Sequence, residues 1–185
     1  MALFLILAPY AAFGALMLLT STTASLFGAA TVCLAIIASD LARGRTLKIL
    51  GAGSALIFAA LGSYQVLSQA PLSGLGVRIA LDSGLLVIGL VSLALRRPFT
   101  LQNAREMATA EAMQSADFLT VNYVLTAVWT LAFLLMISAN LLLITLPDLP
   151  LWFGLAVAFL IRNPAVLFSK WYPEYQLRKI SSQAH

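Results

Sequence analysis

The chain has 185 residues, 61% of them hydrophobic and only 10% charged, where an ordinary soluble domain carries about 25% charged residues. With a mean hydropathy of +0.95, that is more apolar surface than a soluble fold of this size hides in one core, and the composition selects an integral membrane protein. Eleven Lys and Arg against seven Asp and Glu leave a net charge of +4. The basic residues sit in short loops without interleaved aromatics, which argues against a nucleic-acid binder and fits cytoplasmic loops.

Taken in chain order, the segment MALFLILAPYAAFGALMLL has no basic region ahead of its apolar run. It is therefore expected to be a retained first span, at about 3–20, and not a cleaved signal peptide. Pro9, with Tyr10 beside it, predicts a kink there. The polar turn STTAS leads into a second span at about 22–39. That span holds Cys33, the single cysteine, which has no partner for an internal disulfide. Arg43, Arg45 and Lys48 follow, then a third span at about 47–68. Its Gly51-Ala52-Gly53 is too short for a nucleotide fingerprint. With Gly14, Gly28, Gly62, Gly84 and Gly89 these glycines are read as helix-packing positions.

The fourth span, at about 77–95, contains the only acid well inside an apolar run, Asp82, one helical turn after Arg78. Two readings stand: a local Arg78–Asp82 pair near the outer interface, or a proton or cation site in which Gln65 and Asn140 join Asp82. Arg96 and Arg97 then mark headgroup level and Pro98 ends the span. Thr100 is expected to cap a new helix. Leu101, Ala104, Met107, Ala108 and Met113 form a weak apolar stripe opposite Arg105, Glu106, Glu111 and Asp117. This predicts a short amphipathic cytoplasmic helix, with Phe99 as a plug between helices.

The fifth span, at about 118–146, is long enough to tilt or to project beyond the bilayer, and Trp129 lies in its middle. The sixth, at about 150–169, contains Arg162, Asn163 and Pro164. It is read either as a kinked last helix with a snorkelling arginine, or as an inner anion or lipid-headgroup site with Asn122 and Tyr123 as neighbours. Trp152, Trp171 and Tyr172 fit interfacial anchors.

Nine of the eleven basic residues fall on one side of this arrangement, in the 2–3 link, the 4–5 link and the tail. The positive-inside rule then predicts both termini in the cytoplasm. The expected fold is all-α: one polytopic transmembrane bundle over 1–185, with six spans and the short cytoplasmic helix between spans 4 and 5. A bacterial inner membrane is the simplest location. The only histidine is His185, so neither a Ser/His/Asp set nor a Cys/His metal cluster is available. No catalytic residue, metal or cofactor is expected, and an enzyme is not the reading.

The run RRPFTLQNARE, residues 96–106, resembles the R-R-P-F-T-L-Q-x-A-R-E stretch of small uncharacterised bacterial polytopic membrane proteins. A wider likeness, over about the C-terminal half, is to the intracellular septation protein A family. It rests on Arg96, Arg97 and Pro98, on Asn122, Trp129 and Asn140 in a long span, and on Pro147 and Trp152. That family comprises small multi-span inner-membrane proteins linked to envelope synthesis and division. The resemblance implies a non-enzymatic role through helix and cytoplasmic-loop contacts, with the lipid bilayer and a membrane-protein partner or a second copy as its partners. The alternative is a small oligomeric transporter or channel with its polar site at Asp82, Gln65 and Asn140.

Overall fold

The computed structural model describes residues 2–106, 108, 113, 116–146, 149 and 151–183. Seven helices lie within them: α1 (Ala2–Leu19), α2 (Thr22–Ala42), α3 (Ile49–Leu67), α4 (Gly74–Ala94), α5 (Phe99–Arg105), α6 (Ala116–Thr145) and α7 (Leu151–Gln183). Among the described residues α2, α3, α4 and residues 117–145 of α6 are long and apolar enough to cross a membrane, and residues 8–19 form a shorter apolar helix. Leu56, Leu131, Phe159 and Leu167 face outward, while Ser25, Ser54, Asp82, Asn122 and Thr126 are buried. Apolar outside and polar inside is the polarity expected when lipid is the solvent. The chain is a helical membrane protein.

The chain divides into two compact units, Met1–Ile88 and Gly89–His185, with the border inside α4. In the first, Phe13, Leu26, Ala29, Cys33, Ala55, Phe58, Val77 and Leu81 form the core. Tyr10 packs its ring 5.2 Å from that of Phe58, and its hydroxyl meets Ser54 Oγ at 2.6 Å. Pro9 thus precedes a tyrosine that ties α1 to α3. Gly53 approaches so closely that a methyl group there would collide with the Ile88 side chain. Gly14 and Gly51, read from sequence as packing positions, make no comparably close approach.

Turn chemistry sets the helix ends. Ser21 caps α2 by accepting from the Ala24 amide at 3.3 Å. α2 runs to Ala42, three residues past the expected end, because Asp40 organises the exit. The Asp40 carboxylate accepts from Arg45 Nη1 at 3.2 Å and Lys48 Nζ at 2.9 Å. Gly44, at φ 72°, supplies the left-handed residue this reversal needs. The basic residues of the 2–3 link thus also clamp their own turn.

In the second unit α6 packs on α7 and on α5. α7 continues as helix to Gln183 through Pro164 and Pro173, well beyond the expected end near 169. At 33 residues it is about 50 Å long. α5 covers seven residues, shorter than the apolar stripe predicted. Of that stripe Leu101 is buried and Met113 exposed, while Met107, like Glu111, lies outside the described residues.

Candidate functional site

The end of α4 is closed by two bonds: the Arg97 amide donates to the Ser92 carbonyl at 2.9 Å, and the Arg96 amide to the Leu93 carbonyl at 3.0 Å. This is a Schellman closure, in which the left-handed position normally belongs to glycine. Here it is held by Arg96 at φ 55°. Pro98 follows and cannot continue the helix. The chain is thereby redirected, and Phe99, 4% exposed, and Leu101, 8% exposed, are buried.

Thr100 does not cap α5. Its hydroxyl donates to the Asn122 carbonyl at 2.9 Å and lies 2.9 Å from Thr126 Oγ1. Thr130 Oγ1 donates to the Thr126 carbonyl at 2.7 Å. Asn122, Thr126 and Thr130 recur every fourth residue, so α6 presents them as one stripe, and all three are buried. Gly89 of α4 packs on Thr130 closely enough that a methyl group there would collide with Oγ1. Ser92 Oγ donates to the Gly89 carbonyl at 2.9 Å. The result is a buried polar seam running from Ser92 and Gly89 through Thr130, Thr126 and Thr100 to Asn122. One turn beyond Thr100 on α5 lies Asn103, also buried. Sequence reading passed over Thr126 and Thr130; the signal available was their four-residue recurrence after Asn122 within an apolar span.

The predicted site residues are distributed as follows. Gln65 is engaged in a turn: its Nε2 donates to the Leu72 carbonyl at 3.1 Å and its Oε1 accepts from the Leu72 amide at 2.8 Å. Asp82 is buried, 4% exposed, whereas Arg78 is exposed. Gln65 and Asp82 belong to the first unit and Asn140, buried on α6, to the second.

In the second unit, Arg162 Nε donates to Met136 Sδ at 3.3 Å and Trp129 Nε1 to Ser169 Oγ at 2.9 Å. These two contacts set one antiparallel register between α6 and α7. Asn122 lies 14 residues from Met136 along α6, about 21 Å at the helical rise, so Arg162 is not a neighbour of Asn122 or Tyr123. Asn163 Nδ2 donates to the Phe159 carbonyl at 3.0 Å within its own helix.

Arg96, Arg97, Arg105 and Glu106 are exposed around the buried Phe99. Trp171 is exposed and stacks on Tyr175 at 5.1 Å, and Phe168 stacks on Tyr172 at 5.0 Å. The side chain of Trp152 and residues Pro147 and His185 lie outside what is described.

The seam is built from hydroxyl and carboxamide groups. Such a set recognises by hydrogen bonding and has no group that titrates near neutral pH. Among the described residues no three His, Cys, Asp or Glu side chains gather as a metal site. The chain matches no protein-family model, no curated protein and no solved structure.

Proposed function

We propose that this protein is a non-enzymatic, six-span component of the bacterial inner membrane with both termini in the cytoplasm. It works by helix contacts and by a preformed cytoplasmic surface within an envelope or division assembly. The observation that carries the reading is the docking of α5. Phe99 and Leu101 are buried and Thr100 is bonded to α6, so Arg96, Arg97, Arg105 and Glu106 are displayed from an ordered base. A segment with only a topological task needs the arginines but not the buried anchor. The tail, with Lys170, Arg178 and Lys179, lies on the same side by the distribution of charge. The likeness of RRPFTLQNARE to small bacterial membrane proteins fits this role.

The test is a tagged pull-down of the full chain from native membranes, with Arg97→Ala and Arg105→Ala combined. Loss of the same membrane-protein partner, or of self-association, is expected with the fold intact. Undiminished association sinks the reading. Reporter fusions after residues 45, 70 and 183 test the topology; cytoplasmic, external and cytoplasmic signals are expected in that order.

A second reading, a small oligomeric transporter, is favoured by Asp82, an acid inside a candidate span and buried. Intramembrane acids are costly and are retained chiefly for ion or proton pathways. Asp82→Asn in liposomes is then expected to abolish ion flux, and unchanged flux removes this reading.

A further inference from the structure

Two carboxamide oxygens of the polar seam, Asn103 Oδ1 and Asn122 Oδ1, are closed to solvent and have no hydrogen-bond partner within the chain. Asn103 is 7% exposed and Asn122 1%. Buried acceptors of this kind are rare in native folds and each calls for an explanation. The orientation of Asn122 is determined by its other end: Nδ2 donates to the Phe118 carbonyl at 2.8 Å, and turning the amide would set two oxygens against each other. Thr100 touches Asn122, and Asn103 follows Thr100 by one turn on the same face of α5. The two free acceptors thus lie on the two helices, α5 and α6, that meet at the Thr100–Asn122 contact.

A pair of neutral acceptors fits a group with several N–H donors, and a primary ammonium supplies three. The surroundings select among ammonium-bearing ligands. Arg97 lies two residues before α5, Arg105 is its last residue, and both are exposed; α5 is only about 10 Å long, so both charges act within about a Debye length of Asn103. They oppose a bare cation. They favour a ligand that carries an anionic phosphate beside its ammonium, since guanidinium groups pair strongly with phosphate. Arg96 and Arg97 stand at the end of a candidate span, at the depth where phospholipid headgroups lie.

We propose that the α5–α6 seam binds phosphoethanolamine. The ammonium is held by Asn103 Oδ1 and Asn122 Oδ1, and the phosphate by Arg97 and Arg105. Because both oxygens are enclosed, α5 shifts outward from α6 to admit the headgroup. The chemistry is shared by an aminophospholipid in the bilayer and by a soluble glycerophosphoethanolamine.

The test uses the full chain in nanodiscs of phosphatidylethanolamine or phosphatidylcholine with matched acyl chains, and native mass spectrometry of the lipid retained. Phosphatidylcholine keeps the phosphate and the positive charge but replaces every ammonium N–H with a methyl group. At least fivefold greater retention of phosphatidylethanolamine is expected. Asn103→Ala and Asn122→Ala are expected to bring the two lipids level, and Arg97→Ala to lower both. Millimolar glycerophosphoethanolamine separates the sources: displacement of the lipid means that the headgroup alone suffices, and no displacement means that the acyl chains are also held. Equal retention of the two lipids by the unaltered protein overturns the proposal without recourse to any variant. So does a preference that survives both asparagine substitutions.

Discussion

Thr100→Val tests the inference that the Thr100 hydroxyl helps to hold α5 on α6. The substitution is close to isosteric and removes the bonds to the Asn122 carbonyl and to Thr126 Oγ1, both at 2.9 Å. A neutral hydrogen bond contributes about 0.5–1.5 kcal/mol net. Thr100 is only part-buried, which keeps each bond toward the low end, so the pair is worth about 1–2 kcal/mol. Since about 1.4 kcal/mol is a tenfold change in an equilibrium, undocking of α5 should increase about five- to thirtyfold.

The assay is maleimide labelling of Leu101→Cys, a buried α5 position, in a Cys33→Ala background, with and without Thr100→Val. Thr100→Ser keeps the hydroxyl and should label like the parent. Ala165→Cys, buried on α7, should not change with the Thr100 variant, which separates local undocking from global loosening. Labelling of Leu101→Cys that rises less than twofold would refute the role given to the hydroxyl.

Arg96→Gly should raise stability by about 1 kcal/mol, because a left-handed backbone costs an L-residue about 1–2 kcal/mol and glycine almost nothing; thermal unfolding in detergent should show a higher Tm, and a lower one contradicts the strain assigned to Arg96. Gly89→Ala should destabilise by about 1–3 kcal/mol, as overpacking does, since the added methyl meets Thr130. Combining it with Thr130→Ala should recover part of the loss, and strict additivity in the unfolding free energies would contradict that contact. Asp40→Asn should cost about 1 kcal/mol at low salt and less at high salt, since its partners Arg45 and Lys48 act at the surface end of α2; a loss independent of ionic strength argues against the ion-pair clamp.

How far the sequence reads can be judged from particular residues. The apolar runs announce helices because lipid leaves the backbone no other way to satisfy its polar groups along a span, and the structure places helices over each of them. Their ends were less legible. Asp40 lengthens α2 by gathering Arg45 and Lys48 across a turn, and α7 continues through two prolines; both depend on contacts or continuity that no local pattern encodes. Thr100 shows the same limit. Its place after Pro98 suits a cap, but burial of Phe99 and Leu101 turns its hydroxyl toward α6 instead. Gln65, a candidate for an intramembrane site, is committed to the Leu72 backbone.

By itself, then, the sequence determined the solvent and the secondary structure: apolar length and sparse charge decide that lipid surrounds the chain and that helices cross it. Only the tertiary structure decided which polar residues meet. Asn122, Thr126 and Thr130 share a stripe by helical geometry alone, but their burial under Thr100 and Gly89 depends on where Arg96 turns the chain. That turn rests on one backbone angle. Hydropathy does not encode it, because a residue's transfer free energy depends on its side chain and not on which neighbour that side chain finally reaches.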